Sequence, residues 1–346
     1  MLKRTEPKLL LEDLVNGLKA AGEPTRLRIL ALLAEAELTV KDLTVILGQS
    51  QPRVSRHLKL MAEAGLIHRY PEGAWVYYRA ADRGGTGRIV KQLTALVDDA
   101  DDVRRRDLER LDELRDSLAA RAQGYFAANA SAWDELRTLH VPEEAVEETM
   151  LSLVQDREID TLVDIGTGTG RLLELFAAHC ERAIGIDLNS EMLALARAKI
   201  AESKITHAQV RRADLFSLDL PSEGADFVTI HQVLHYLSDP GRAIREASRL
   251  LRQGGGMLIA DFAPHDIEIL RNEHAHTRLG FSHEQVSEWL SQSGLSVQQI
   301  VDLPPQTEAA SRGLTVTLWL AERMSGRIAA AHAPALASQP TDIDGV

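Results

Sequence analysis

Cysteine occurs once in this sequence, at Cys180, which excludes an intrachain disulfide framework and any thiolate-rich metal centre within one chain. No metal site is expected. Long apolar runs are missing too: none approaches the ~18 residues of a membrane-spanning helix, and Met1 to Leu14 lacks a secretory-signal pattern. These absences predict a cytoplasmic protein with no membrane partner. What is present is ordinary for a globular chain: 45% hydrophobic and 26% charged residues. At 346 residues it has room for two domains of ~150 each.

Charge is unevenly placed within a formal net of -12. Residues 1–82 carry 12 Lys and Arg against 10 Asp and Glu, whereas the remainder carries 27 against 41. One segment is therefore suited to meet a polyanion and the other is not. Within the first segment, residues 9–20 and 25–34 have Leu and Ile at helical spacing, with Pro24 where the second helix starts. Thr39 caps a short helix that Gly48 ends, and Ser50 caps the next, with Pro52 in its first turn. "LIHRY" and "AWVYYRA", separated by Pro71-Glu72-Gly73, read as a β-hairpin. Helix, helix, turn, helix, hairpin is a winged helix-turn-helix, mostly α with a hairpin wing.

Val54, Leu58 and Met61 share one face of the last helix. Its other positions carry Gln51, Arg53, Ser55, Arg56, His57 and Lys59, with no carboxylate among residues 51–60. Such side chains reach base edges and phosphates from a helix in a major groove. Arg69, Tyr77 and Arg79 on the hairpin suit a wing that touches the backbone or minor groove. "EPTRLRILALL", "LTVKDLTVILGQSQPRVSRHLKLMAEAGLI" and "YPEGAWVYYRA", over about residues 10–98, resemble the ArsR family of winged-helix repressors. The resemblance implies a homodimer on an inverted-repeat operator of double-stranded DNA. It adds Ser50 to the DNA-contacting residues. Residues 1–100 contain no cysteine, which speaks against sensing a metal or arsenite through thiolates.

Residues 86–124 predict one or two long helices with two apolar stripes, Ile89-Leu93-Leu96-Val97 and Leu108-Leu111-Leu114-Leu118, which suggests self-association. Strands and helices then alternate in the manner of a parallel, doubly wound sheet, giving an α/β fold overall. "VDIGTGTGR" places Gly166, Gly168 and Gly170 between a strand and a helix, where small residues allow close approach of a ligand. A glycine loop alone is a weak signal. Asp164 precedes it, Asp187 ends the next strand where it can accept both hydroxyls of a ribose, and Asp214-Leu215 ends the third.

"DIGTGTG", "GIDLNSEMLALAR", "RRADLF" and "LLRQGGGMLIADF" resemble the successive motifs of class I S-adenosylmethionine-dependent methyltransferases, over about residues 125–322. The resemblance implies a Rossmann-like methyltransferase domain that binds S-adenosylmethionine (SAM) or S-adenosylhomocysteine (SAH). It places Asp164, Gly166, Thr167, Gly168 and Gly170 at the methionine part. Asp187, Leu188 and Met192 fall at the ribose, Asp214 and Leu215 at the adenine, and His231 and Gln232 beside the fourth strand. Tyr125 and Trp133 lie in what looks like an aromatic entry segment.

Methyl transfer needs an aligned nucleophile and sometimes a base. His231, His235, His265, His274 and His276 follow strands four and five, and His235 is the candidate base, although such histidines equally serve as polar lining. The Asn/Asp-Pro-Pro-Tyr signature of amino-methylating DNA enzymes is absent.

The expected organisation is a DNA-binding domain over 1–85, a helical dimerisation and linker region over 86–124, a SAM/SAH-binding domain over 125–322, and a disordered tail over 323–346. The two resemblances together imply a regulator of methionine and SAM-cycle genes with SAM or SAH as effector. The alternative is an active methyltransferase on a small-molecule acceptor, with an autoregulatory DNA-binding domain.

Overall fold

The computed structural model describes residues 9–72, 74–81, 84–130, 133, 143–305 and 313–324. The N-terminal part starts with α1 (Leu11–Ala21) and α2 (Pro24–Glu35), followed by the short β1 (Leu38–Thr39) and α3 (Val40–Leu47). Thr39 and Asp42 form a capping box at the start of α3, and Gly48 ends it. α4 (Gln51–Glu63) leads into the hairpin of β2 (Ile67–Glu72) and β3 (Trp75–Ala80), and β1 pairs with β3. Ser50 holds the N-cap position of α4, but its hydroxyl makes no capping bond. The expected side-chain cap is absent, and only the Ser50 carbonyl is engaged, by the amides of Arg53 and Val54. Ile29, Leu30, Leu43, Ile46, Val54 and Met61 are fully buried in one core.

The two predicted long helices are α5 (Gly84–Ala95) and α6 (Asp102–Asn129). The Asp101 carboxylate caps α6, and its 28 residues extend ~42 Å. The helix runs past residue 124 without a break. Leu111 is buried, and Leu108 and Leu114 pack beside it, all against the N-terminal core. These three positions of the stripe are thus covered by the chain's own α2 and α3, the alternative to self-association that such a stripe also allows.

α7 (Glu143–Val154) precedes the large sheet. The chain then runs β4 (Ile159–Ile165), α8 (Arg171–Leu175), β5 (Cys180–Asp187), α9 (Ser190–Glu202), β6 (Ala208–Arg212) and β7 (Ala225–His231). It continues through α10 (Pro240–Leu250), β8 (Leu251–Phe262), α11 (Glu268–Glu273), α12 (His283–Gln292), β9 (Leu295–Leu303) and β10 (Val316–Arg323). The strand order is β6-β5-β4-β7-β8-β10-β9, parallel through β8, with β10 antiparallel to both its neighbours. Apolar cores cover both faces. The order reverses at β4, next to β7, so a crevice opens at the carboxyl ends of these strands. β9 escapes the sequence reading because it is an edge strand, with Gln298 and Gln299 exposed at its centre. The expected tail begins inside β10, and its residues 325–346 lie outside the described residues.

Candidate functional site

With Val54, Leu58 and Met61 turned into the core, the opposite face of α4 leaves Gln51, Arg53, Ser55, Arg56 and Lys59 exposed, beside exposed Ser50. His57 departs from that face. It is half-buried, with Nδ1 3.8 Å from Glu23 Oε2, and burial lowers its pKa further than Glu23 raises it.

The hairpin differs more. Arg69 is exposed, its guanidinium 6.0 Å from the Tyr78 ring. Tyr77 is buried and its hydroxyl donates to the Thr277 carbonyl at 2.8 Å. Arg79 donates to Gln292 Oε1 at 2.8 Å and pairs with Glu37 at 3.6 Å. Tyr77 and Arg79 are therefore corrected as DNA contacts, because the C-terminal half packs over this side of the hairpin. The tip is held as well: Ala74 N donates to Glu268 Oε1 at 3.0 Å, and the Arg271 guanidinium lies 4.1 Å from the Trp75 ring.

At the centre of this contact Arg278 is fully buried. Its Nε donates to both Glu72 oxygens, at 2.8 and 3.0 Å, and its Nη1 to Glu37 Oε2 at 2.9 Å, while Trp289 Nε1 donates to Glu37 Oε1 at 3.3 Å. Burial alone lowers a guanidinium, but Glu72 and Glu37 hold Arg278 above its ordinary value. Burial pushes Glu37 up against the pull of Arg278 and Arg79. Arg278 and Glu72 lie 206 residues apart, and no local pattern announces their meeting.

A cavity of about 480 Å³ fills the crevice at the ends of β4, β5 and β7. Asp164, Gly166, Thr167, Gly168, Asp187, Leu188, Met192, Asp214, Leu215, His231 and Gln232 all line it, as does Trp133. Gly166 has φ +72, and a Cβ there would lie 2.3 Å from Val233 Cγ2, so only glycine lets the loop close on this wall. The Asp187 oxygens accept the amides of Gly168 at 2.9 Å and Asn189 at 2.8 Å, and burial raises its pKa. Asp164 is buried and accepts the Thr229 hydroxyl at 2.7 Å.

Three expected residues lie outside the cavity lining. Gly170 instead packs α8 on α9, where a Cβ would be 3.1 Å from that of Ala196. Tyr125 turns its hydroxyl to His274 Nδ1 at 2.8 Å. His235, the candidate base, is buried with Nδ1 2.8 Å from Asp261 Oδ1. The single turn of residues 234–236 sends Tyr236 into the cavity and His235 into the core. Of the five histidines, only His231 lines the cavity. His235, His265 and His276 gather around Phe262 instead.

Burial, assisted by His235, lowers the His265 pKa to about 4, and its Nδ1 accepts the Ile267 amide at 3.2 Å. Below pH ~6.5 the unfolded chain takes up a proton that the folded chain refuses. Stability from this residue is complete above that pH and declines as pH falls to about 4. The expected slope is at most ~1.4 kcal/mol per pH unit. His265→Asn, which keeps an acceptor for the amide, should flatten the urea-midpoint profile between pH 6.5 and 5; an unchanged profile contradicts this account.

Sequence reasoning missed one whole wall. Asp112, Arg115, Asp116, Ala119, Ala122, Gln123 and Phe126 recur at helical spacing along α6 and line the cavity. Small Ala119 and Ala122 amid charged neighbours were the available signal. Nearer the N-terminus of the same helix, Arg28 grips Asp107 with two bonds of 2.7 and 2.6 Å, and Arg110 donates to the Ile46 carbonyl at 2.7 Å. Phe126, Trp133 and Tyr236 meet edge-on or tilted, with centroids 4.7 to 6.4 Å apart.

Among the described residues no helix is long and apolar enough to cross a membrane, and no cluster of three His, Cys, Asp or Glu side chains is arranged to hold a metal. Cys180 sits in β5, its thiol pushed up to about 11 by burial.

Residues 23–69 match the model of "Bacterial regulatory protein, arsR family", and residues 163–259 that of a "Methyltransferase domain". The N-terminal part is 39% identical over 82 residues to an uncharacterized HTH-type transcriptional regulator of Methanocaldococcus jannaschii, covering 23% of this chain and 86% of that one. It is 50% identical over 62 residues to the arsenical resistance operon repressor of Escherichia coli K12, covering 18% and 53%. The C-terminal part is 30% identical over 118 residues to the uncharacterized methyltransferase YcgJ of Bacillus subtilis, covering 34% and 47%. The chain thus spans about half the length of the last two relatives. With its winged helix matched across most of a regulator and its glycine-loop sheet matched to a methyltransferase domain, the chain belongs to the arsR family of regulatory proteins and joins a methyltransferase domain to that DNA-binding part.

Proposed function

We propose that this chain is a homodimeric, cytoplasmic regulator that binds an inverted-repeat operator through α4 and takes SAM or SAH as effector in its cavity. The observation that carries the reading is α6, which lines the cavity along one stretch and is bonded into the DNA-binding core along another. A ligand can change DNA affinity only by favouring one arrangement of the two halves, and a helix shared by both supplies that dependence. Residues 1–85 then serve DNA and 125–322 the ligand, with α6 belonging to both.

The cavity fits such a ligand. Its volume falls within the ~300–1,000 Å³ of small-molecule sites. Each Asp187 oxygen has a second lone pair left for a ribose hydroxyl. The buried Gln232 Nε2, without a hydrogen-bond partner among the described residues, offers a donor. Dimerisation is supported by the apolar face of α1, where Leu11, Leu14 and Leu18 are exposed, and by Leu96 at 82% exposure. Genes that make or consume the effector are the natural targets.

The test is fluorescence anisotropy of a duplex from the gene's own upstream region, titrated with protein alone and with SAM or SAH added separately. A change in DNA affinity of at least ~5-fold with one ligand is expected. Constant affinity with both sinks the proposal. Arg56→Ala in the same assay should weaken DNA binding and reduce the salt slope by about one, leaving ligand affinity unchanged.

A further inference from the structure

Among the described residues two routes join the halves: α6, and the buried contact of the wing with the segment around Arg278. The second begins at the cavity itself. Gln232, Val233 and Tyr236 line the cavity, and Gln232 is held at φ +54, a left-handed conformation that costs a non-glycine residue energy. The backbone of this same turn carries the next segment. The amides of Thr277 and Arg278 both donate to the His235 carbonyl at 2.9 Å, and the Thr277 hydroxyl donates to the Tyr236 carbonyl at 3.1 Å. From there the Thr277 carbonyl accepts the Tyr77 hydroxyl, and the Arg278 guanidinium is buried against Glu72 and Glu37.

We propose that cavity occupancy is relayed to the DNA-binding half through the 232–236 turn and Arg278, with the wing hairpin as the element that moves. The inference rests on the reading of the cavity as an effector site. Three properties make the route efficient. It is short, since one carbonyl, that of His235, anchors both relay residues directly behind a cavity-lining ring. It is stiff, because Arg278, Glu72 and Glu37 cannot separate without leaving a buried charge unpaired. It starts at a strained residue, so a ligand that pushes on the turn acts where the backbone already stores energy. The hairpin therefore follows the turn as a unit rather than sliding across it. Arg278 is here a positioning residue, since it lies outside the cavity lining.

The test uses the full-length protein carrying Tyr77→Phe and Thr277→Val. Together these remove two neutral hydrogen bonds of the relay and strand no charge. Affinity for SAH is read by calorimetry, and DNA affinity by anisotropy with and without SAH. Expected are an SAH Kd within about 2-fold of the unmodified protein, ligand-free DNA affinity within about 3-fold, and a ligand effect on DNA affinity cut at least by half. A ligand effect retained in full overturns the relay, and so does loss of SAH binding. Hydrogen exchange on the unmodified protein supplies a reading that no variant can spoil. Adding SAH should change exchange at the hairpin amides of residues 75–80, and unchanged exchange there overturns the relay even where the ligand does alter DNA affinity. Absence of any ligand effect on DNA in the unmodified protein is a different failure, that of the effector reading itself.

Discussion

Arg278→Met, with Glu37 and Glu72 left in place, is expected to lower unfolding stability by ~3–5 kcal/mol. The reason is desolvation rather than the loss of attraction. Glu37 and Glu72 are almost entirely shielded from water, and Arg278 supplies the charge and the donors that make carboxylates tolerable there. Methionine fills much of the volume but leaves Glu72 without its buried cation and Glu37 with only Arg79, at 3.6 Å, as a charge partner, so buried charge goes largely uncompensated. Chemical denaturation at pH 7 checks this. Adding Glu37→Gln and Glu72→Gln to the same chain should restore most of the loss, since neutral amides carry no unpaired charge. A single variant within ~1 kcal/mol of the parent, or a triple variant no better than the single, contradicts the buried-charge account.

Asp187→Ala is expected to weaken SAH binding on the order of 100-fold while leaving ligand-free DNA binding intact. Two effects add. The carboxylate offers lone pairs for the ribose hydroxyls, and it also holds the glycine loop through Gly168 N and the start of α9 through Asn189 N. Removing it takes away ligand acceptors and leaves the loop amide unpaired at the cavity wall. Asp187→Asn keeps one acceptor oxygen and should fall between. Burial raises the Asp187 pKa, so the parent's affinity should also decline on acidification sooner than an ordinary carboxylate predicts, because the protonated acid loses acceptor capacity. Calorimetry across pH measures both effects. An affinity loss below ~5-fold in the alanine variant means the ribose is held elsewhere.

Much of this molecule is legible along the chain because the deciding interactions lie within a few residues of each other. The Thr39–Asp42 capping box, the stop at Gly48 and the spacing of Val54, Leu58 and Met61 settle α3 and α4 before any partner arrives. The glycine loop and the acids at the ends of β4 and β5 follow from the same kind of local pattern, and the structure brings Asp164, Gly166, Gly168 and Asp187 to one cavity. The short turn at 234–236 shows where such reading stops. His235 and Tyr236 are neighbours with similar ring character, and only the packing of Asp261 behind the turn sends one into the core and the other into the cavity.

The sequence by itself therefore determined the two folds, the exposed basic face of α4 and the glycine loop with its flanking acids, all products of periodicity and short-range hydrogen bonding, while Leu188, Met192, His231 and Gln232 were implied by the resemblance to methyltransferases. Tertiary structure alone decided that α6 would line the cavity as well as join the DNA-binding core, and that Tyr77 and Arg79 would face the C-terminal half instead of solvent. The first rests on the bonds of Arg28 to Asp107 and of Arg110 to the Ile46 carbonyl, and the second on a charge at Arg278 meeting carboxylates more than two hundred residues away, matches that nothing nearby in the chain records.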